Sequence, residues 1–172
     1  SEVTLLSAVI TTDGLPNPTL VLAAIQDNAL FTDSVPVSFD DALAWDAHPT
    51  VSFAKRWVVF ASNRKGSQNS TDLWYVQRRA NGSYSSARPL YGANTYCDEL
   101  SPWFIQQPQL ALLFSSAGHT SFGGYDVFRA ELVEESDSLR VATVANMGSP
   151  INSAADEIFP TSFSQGTGFY VA

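Results

Sequence analysis

The sequence contains a single cysteine, Cys97, so no disulfide bond can form within the chain. Its two histidines, His48 and His119, have no second histidine or cysteine at metal-ligand spacing, which argues against a zinc site. No apolar run approaches the length of a membrane-spanning helix. The first residues lack a signal-peptide pattern, but a chain that begins without methionine leaves the question of export open. The sequence predicts neither a disulfide-rich domain, nor a zinc module, nor insertion into a membrane.

Charged residues are also scarce, because they make up 15% of the chain against roughly 25% in an average domain. The 9 Lys and Arg residues are outnumbered by 17 Asp and Glu residues, which gives a net charge of -8. An acidic chain is a poor partner for nucleic acid or for an anionic membrane. The charge permits binding of a cation or of a basic protein, although solubility alone is a sufficient explanation.

Known catalytic motifs are absent as well. The sequence has no Gly-x-Ser-x-Gly motif, no phosphate-binding loop and no sialidase-type Ser-x-Asp-x-Gly-x-x-Trp box. Cys97 stands beside Asp98 and Glu99, whose negative charges disfavour a thiolate nucleophile. We therefore expect a protein that is not an enzyme.

A repeat is the strongest feature that is present. Residues 57–72 (WVVFASNRKGSQNSTD) and residues 111–126 (ALLFSSAGHTSFGGYD) follow one plan over sixteen positions. In each, an apolar strand ends in two small residues, a glycine-bearing loop follows, and Asp72 or Asp126 opens another strand. This spacing predicts a repeat architecture. The recurring aspartate is expected to fix its turn rather than to bind a ligand.

Three prolines extend the repeat in both directions. Pro49, Pro102 and Pro160 are 53 and 58 residues apart, somewhat more than the roughly 40–50 residues of a propeller blade. Three residues before each proline is an acid, and these form an acid column: Asp46, Glu99 and Glu157. Five residues before the acids is a second column: Asp41, Asn94 and Asn152.

The hydrophobic pattern predicts strands and no crossover helix, which argues against βαβ units. Strands are expected near 49–54, 57–62, 72–79, 84–90, 102–106, 110–116, 125–132, 139–145, 159–163 and 168–172. Residues 80–83 (ANGS) predict a hairpin turn. Residues 129–138 are expected to form a strand end and a charged loop.

The first part of the chain fits the repeat less well. Residues 1–11 and 29–33 predict strands, and turn residues fill 11–18 and 26–28. Residues 19–25 (TLVLAAI) resemble a shortened copy of the strand at 57–62, which implies a short or degenerate first repeat.

These patterns predict an all-β fold, a β-propeller of four-stranded antiparallel blades. A single blade has two faces to bury, so blades must pack against one another. We expect a single propeller domain or fragment over 1–172, with these parts: a degenerate first blade (1–45), two blades (46–97 and 98–155) and the start of a further blade (156–172). About three blades fall short of the usual 4–8. A longer chain or a second copy, in a homodimer, would have to complete the ring.

The motifs resemble one known family. HPTVSF, WVVFASNRKG and TDLWYVQR, then DELSPWF and LALLFSSAGHTSFGGYDVFRAEL, look like WD-like propeller repeats of the TolB type. The segment NMGSPINSAADE (146–157) is similar to one that ends such repeats in bacterial cell-envelope and OmpA-associated proteins. The resemblance covers about 45–172; it departs where FAKR (53–56) and IQQPQ (105–109) replace the usual SPDG turn, and 1–44 match poorly.

The resemblance implies a fold and a general role, without a catalytic residue. It implies a non-enzymatic scaffold module in the periplasm or cell envelope, which binds a protein or another envelope component through the funnel face of the propeller. An alternative is a propeller domain associated with a peptidase or a carbohydrate-active enzyme. A third hypothesis is a structural propeller stabilised by calcium.

The candidate ligand-binding residues surround the expected funnel mouth. They are Asp46, Asp98, Glu99, Asp156 and Glu157, with Trp45 and Trp103 nearby. A ring of carboxylates could bind a divalent cation or basic side chains. The structural alternative is that each acid accepts backbone hydrogen bonds from a neighbouring turn. Of the histidines, His119 is expected to be exposed in its glycine-rich loop and His48 to be packed.

Overall fold

A computed structural model of the chain describes residues 3–9, 19–25, 31–68, 70–105, 109–162 and 169–170. Over these residues the protein consists of β-strands, turns and loops, without a helix. The turns expected at 11–18 and 26–28 lie outside the described residues. Among the described segments, none is a helix with the length and apolar character needed to cross a membrane.

The described strands are β1 (Val3–Val9), β2 (Thr19–Ile25), β3 (Phe31–Pro36), β4 (Asp46–Val51), β5 (Trp57–Ser62), β6 (Asp72–Gln77), β7 (Arg88–Pro89), β8 (Glu99–Ile105), β9 (Ala111–Ser116), β10 (Asp126–Glu134), β11 (Leu139–Asn146), β12 (Thr161–Ser162) and β13 (Phe169–Tyr170). They form antiparallel sheets: an N-terminal sheet β1-β2-β3, a central sheet β4-β5-β6-β7, a C-terminal sheet β8-β9-β10-β11 and a terminal pair β12-β13. The prediction of an all-β chain with four antiparallel strands in the central and C-terminal repeats is confirmed.

The predicted elements differ from the observed ones mainly at their ends. β4 and β8 begin at Asp46 and Glu99, three residues before the predicted starts, and β7 is reduced to Arg88–Pro89. The turn after Arg79 is present, with Gly82 at φ 84°, a left-handed conformation that glycine adopts without a steric penalty. β10 continues to residue 134, and the charged loop follows at 135–138, as expected.

The central sheet is covered on both faces, and β5 shows how. Every residue of Trp57–Ser62 is buried. Successive side chains of a strand point to opposite faces. Accordingly, Trp57 and Val59 pack in the core shared with the C-terminal sheet, whereas Val58 and Phe60 pack against residues of the N-terminal region. Each such burial stabilises the fold by roughly 1.5–3 kcal/mol. The expectation that a sheet of this kind must be packed on both sides is confirmed here.

The cores lie between successive sheets. The largest joins the central and C-terminal sheets and consists of Trp57, Val59, Ala61, Leu73, Tyr75, Leu90, Ala93, Phe104, Leu112, Phe114, Phe128, Ala130, Leu132 and Leu139. A second core, on the other face of the C-terminal sheet, contains Ile105, Ala111, Leu113 and Val127, with Met147 and Ile151 against it. Strands β4 and β8 are in contact, and so are β8 and β12, so the first strands of successive units are neighbours.

The strands of the N-terminal sheet correspond to those of the other two sheets in a different way from the predicted one. Three equivalent backbone hydrogen bonds recur: Val37 N–H to Leu20 O at 3.0 Å, Leu90 N–H to Leu73 O at 2.8 Å and Met147 N–H to Val127 O at 3.1 Å. Leu20, Leu73 and Val127 therefore occupy one position, 53 and 54 residues apart. β2 corresponds to the third strands, β6 and β10. The interpretation of 19–25 as a copy of the second strand is wrong, because second and third strands are equally apolar.

A side-chain clamp marks the same position in each unit. Asn94 accepts the N–H of Leu73 (2.9 Å) and donates to its carbonyl (3.0 Å). Asn152 makes the same two bonds to Val127, both at 2.9 Å. In the first unit Asp40 accepts the N–H of Leu20 at 2.8 Å. The second column therefore begins with Asp40 and not with Asp41, because the segment from this position to the acid is one residue longer in the first unit: five residues separate Asp40 from Asp46, and four separate Asn94 from Glu99.

Candidate functional site

Strands β4 and β8 are interrupted at the residue before the proline. The pairing of β4 with β5 shifts between Ala47 and Thr50, and that of β8 with β9 shifts at the corresponding place. Three residues stand at this bulge position with left-handed backbones: His48 (φ 51°), Ser101 (φ 52°) and Phe159 (φ 54°). A left-handed non-glycine residue costs roughly 1–3 kcal/mol and is found preferentially at functional sites. The chain carries this strain at three equivalent positions.

The three left-handed residues meet in one groove of about 400 Å³. Its lining is His48, Pro49, Ser101, Pro102, Trp103, Phe159, Pro160 and Thr161. They comprise the residue–proline pair of three successive repeats, together with Trp103 and Thr161. Rings and prolines dominate the surface, and no formally charged side chain lines it. The groove lies within the usual range of ligand pockets, roughly 300–1,000 Å³.

His48 is the polar centre of the groove. Its ring lies edge-to-face against Trp45, with centroids 5.2 Å apart, and against Phe159, at 5.1 Å. The N–H of Ser101 donates to Nδ1 at 3.3 Å, so Nδ1 is an acceptor and the proton of the neutral ring is on Nε2. Burial lowers the pKa of His48 below its usual 6.5. The expectation of a packed His48 is confirmed.

Ser101 and His48 do not form a nucleophile–base pair. The Ser101 hydroxyl is 3.5 Å from His48 Nδ1, beyond the 2.6–3.2 Å or so that proton transfer needs. The backbone N–H of Ser101 already donates to that nitrogen. The lining contains no carboxylate to orient the ring. The arrangement holds the imidazole in place for packing and hydrogen bonding.

Asp46, the first member of the acid column, is fully buried beside the groove. Its Oδ2 accepts the N–H of Asp41 at 2.8 Å and the guanidinium of Arg64 at 2.6 Å. Arg64 also donates to the Phe39 carbonyl at 3.1 Å. The Asp46 carboxylate is thereby neutralised by its own sheet.

Glu99 and Glu157 are buried in a second way. Glu99 accepts the N–H of Thr95 at 2.8 Å, and the hydroxyls of Thr95 and Ser116, both at 2.7 Å. Glu157 accepts the N–H of Ser153 at 3.0 Å and its hydroxyl at 2.5 Å. Burial raises the pKa of Glu99, and these hydrogen bonds oppose the rise. Both carboxylates fasten the preceding loop to the first strand.

Asp98 and Asp156 connect successive sheets. The N–H of Thr71 donates to Asp98 at 2.9 Å, and that of Tyr125 donates to Asp156 at 3.0 Å. The Tyr125 hydroxyl also donates to Asp98, at 2.9 Å. Burial would raise the pKa of Asp98, but the hydrogen bonds from Ser70, Thr71 and Tyr125 outweigh it and lower the pKa. Burial and the nearby Asp98 raise the pKa of Tyr125 to about 12.

The predicted site residues are thus divided between two places. Trp103 lines the groove and Trp45 supports His48 from beside it. The five acids lie outside the groove lining, and each accepts hydrogen bonds from the chain itself; Asp46 does so through Oδ2 alone. Asp156 is the exposed one, and Asp98 is half-buried. Sequence reasoning missed Ser101 and His48 as groove residues, although the proline column marked their positions.

Asp72 and Asp126 fix their loops, as expected for the recurring aspartate. Each accepts the backbone N–H of the residue four positions earlier, at 3.0 and 2.9 Å. The exposed position expected for His119 is wrong. His119 is half-buried, its Nε2 lies 2.8 Å from the Ala93 carbonyl oxygen, and its ring packs on Phe128.

Among the described residues no group of three or more His, Cys, Asp or Glu side chains is placed to hold a metal ion. The Glu99 oxygens accept hydrogen bonds from Thr95 and Ser116, and those of Asp98 from Ser70, Thr71 and Tyr125. The described geometry gives the calcium hypothesis no additional support.

No protein-family model, no curated protein and no solved structure matches the chain.

Proposed function

We propose that the chain is part of a β-propeller of the TolB type and acts as a non-enzymatic binding module. Its ligand occupies the groove between the first strands of successive repeats. The single observation that carries the proposal is the recurrence of a left-handed residue before a proline, at His48, Ser101 and Phe159, around that one groove. Backbone strain of this kind persists only where the surrounding structure enforces it, and it clusters at binding and catalytic sites.

The sheet arrangement supports the propeller. The central sheet packs on its neighbours through both faces, and the first strands β4, β8 and β12 follow one another. Equivalent hydrogen bonds recur at Leu20, Leu73 and Val127. Radial stacking of repeated four-stranded sheets, with first strands innermost, has these properties. A longer chain or a second copy would supply the rest of the ring.

The lining indicates the kind of ligand. Three prolines, Trp103 and Phe159 form an uncharged apolar surface, and His48 and Ser101 supply the polar groups. Aromatic-lined grooves of this composition bind extended proline-rich segments of proteins. We therefore assign the groove to an uncharged, proline-containing protein segment. The resemblance of 146–157 to segments of envelope proteins supports the proposal that this partner belongs to the periplasm or cell envelope.

The test is binding of a labelled uncharged peptide of proline, alanine and leucine, followed by fluorescence anisotropy. Trp103→Ala and Phe159→Ala should weaken binding by about fivefold or more, since exposed aromatic rings dominate such sites. Phe53→Ala is the matched control, because Phe53 is also an exposed aromatic residue but lies outside the groove. Equal affinities for all four proteins, or no binding to any, would remove the proposal.

The carbohydrate-associated alternative depends on one observation, the partly exposed indole of Trp103 in the groove. A sugar ring can stack on such a surface. An oligosaccharide of N-acetylglucosamine, offered in the same assay, discriminates the two. Binding of the sugar that Trp103→Ala abolishes, without binding of the peptide, would favour the alternative.

A further inference from the structure

A separate surface lies at the end of the sheets where the first strands begin. In an antiparallel four-stranded sheet, the loop between strands two and three and the loop leading into the next unit lie at the same end. We call this end the acid end; it comprises 37–45, 63–68 with 70–71, 91–98, 117–125 and 147–156. The opposite end comprises 52–56, 78–87 and 135–138.

Hydrogen bonds join the loops of the acid end into one layer. The N–H of Trp45 donates to Asn63 at 2.7 Å. Asp98 accepts bonds from Thr71 and from the Tyr125 hydroxyl, both at 2.9 Å.

The layer continues through two more contacts. His119 Nε2 lies 2.8 Å from the Ala93 carbonyl, and Tyr125 N–H donates to Asp156 at 3.0 Å. Hydrogen bonds thus link the loops of the central sheet to those of the C-terminal sheet, and the acid end forms a continuous surface.

Large apolar side chains project from this layer into solvent. They are Leu43 (93% exposed), Tyr91 (73%), Tyr96 (77%) and Phe122 (64%). Leu43 and Tyr96 occupy the same position, three residues before Asp46 and Glu99. Two of these four exposed side chains therefore recur at one repeat position, at the same end of the sheets.

Charge is distributed unequally between the two ends. The carboxylates of the acid end that reach solvent are those of Asp40, Asp41, Asp98 and Asp156, whereas those at its base are buried: Asp46, Asp72, Glu99, Asp126 and Glu157. The cations there are Arg64 and Lys65, and Arg64 is paired with Asp46. The opposite end carries four cations, Lys55, Arg56, Arg78 and Arg79, and two acids, Glu135 and Asp137. The groups of the acid end that reach solvent therefore carry a net negative charge.

We propose that the acid end is a docking surface for a basic segment of another protein, in which cationic and apolar side chains alternate. Carboxylates such as Asp98 and Asp156 attract Lys and Arg, and exposed tyrosine rings add cation–π contacts. The apolar parts of the partner cover Leu43, Tyr96 and Phe122. This surface is distinct from the groove, which carries no charged lining and suits an uncharged ligand.

The probe is a labelled synthetic peptide in which lysine and leucine alternate, measured by fluorescence anisotropy at low ionic strength. The control peptide carries glutamate in place of lysine. We expect saturable binding of the lysine peptide alone, weakened by added salt because surface charges are screened over about 10 Å at 0.1 M. Absence of saturable binding, or equal binding of both peptides, would overturn the proposal.

Matched variants locate the site. Phe122 and Phe53 are both 64% exposed but lie at opposite ends. Phe122→Ser should weaken binding by about fivefold, as for an aromatic contact residue, and Phe53→Ser should leave it unchanged. Asp156→Asn keeps the acceptor for Tyr125 and removes the charge; Asp137→Asn, also exposed, is its counterpart at the opposite end.

Three results would contradict the assignment. Equal losses in Phe122→Ser and Phe53→Ser would show unspecific attraction. A loss in Trp103→Ala would place the peptide in the groove instead. Self-association reduced by both phenylalanine variants would identify the occupant as a second copy of the chain. The groove proposal stands or falls separately, because it is tested with an uncharged peptide.

Discussion

The central and C-terminal sheets bury their column acids by different means. In the central sheet the acid is Asp46, whose partner is Arg64, two residues after β5. In the C-terminal sheet the acid is Glu99, which accepts directly from Ser116, the last residue of β9. Ser62 and Ser116 are equivalent, but Ser62 accepts from Arg64 and is not bonded to Asp46.

The side chain of Asp46 is one methylene group shorter than that of Glu99. Asp46 does not bond Ser62, and the Arg64 guanidinium lies between the two and bonds both. Position 118, which corresponds to Arg64, is a glycine, and a Cβ there would overlap the side chain of Thr95. Thr95 in turn bonds Glu99. Equivalent positions therefore differ between the two repeats as a set of mutually fitting residues rather than one by one.

The largest expected effect is that of Arg64→Ala. The Arg64 side chain is 9% exposed and that of Asp46 is 0%. Removing the cation leaves a buried carboxylate without its counter-charge, which costs about 3–5 kcal/mol. The free energy of unfolding in urea measures the loss. Lys65→Ala, at the exposed neighbouring residue, should change it by less than about 0.5 kcal/mol. Similar costs for the two variants would show that the ion pair has no structural role.

The next effect in size concerns the glycine that takes the place of Arg64. Gly118→Ala should destabilise the fold by about 1–3 kcal/mol, because the new methyl group overlaps Thr95. Gly82→Ala is the control: Gly82 has a left-handed backbone, but a Cβ there would meet no atom within 4 Å. Its cost should be limited to the backbone strain of about 1 kcal/mol. A smaller cost at 118 than at 82 would contradict the packing difference between the sheets.

A pH-dependent effect distinguishes the bulge positions. Because burial lowers the folded pKa of His48, its contribution to stability is fully present above about pH 6.5, the unfolded pKa, and is lost progressively as the pH falls from there to the lower folded pKa. His48→Phe, which copies Phe159, should remove this loss. The expected difference between the proteins at about pH 5.5 is at most about 1.4 kcal/mol, since that is one unit below the unfolded pKa. Urea unfolding at about pH 7.5 and 5.5 measures it. Parallel losses in both proteins would disprove the assignment to His48.

The smallest effect is a gain. Asp40 accepts the N–H of Leu20 but is the only charged member of a column otherwise made of Asn94 and Asn152. Burial raises the pKa of Asp40, so the carboxylate that forms at neutral pH is less stable in the folded protein than in the unfolded chain. Asp40→Asn should add the return bond to the Leu20 carbonyl and increase stability by about 0.5–1 kcal/mol near neutral pH. The gain should shrink in acid, where Asp40 is protonated. A loss of stability would separate the first unit from the other two.

The sequence predicted the strands and the four-stranded repeats because their apolar runs and turn residues act locally. It placed Trp103 near the site through the acid column. It could not separate β2 from a second strand, since both are uniformly apolar and only hydrogen bonding to Val37 distinguishes them. Nor could it show that Asp46 is neutralised by Arg64, because that pairing depends on distances across two loops. The groove itself follows from the left-handed backbones at His48 and Ser101, which no residue pattern specifies.

The central claim is that the first strands of successive repeats meet at His48. Nuclear Overhauser contacts test it directly, and the sequence has two histidines to assign. The account predicts contacts from the His48 imidazole protons to both Trp45, within the same unit, and Phe159, in the last unit, whose ring centroids lie 5.2 and 5.1 Å away. Contacts to Trp45 without any to Phe159 would contradict it, because the bulges would then not share one groove.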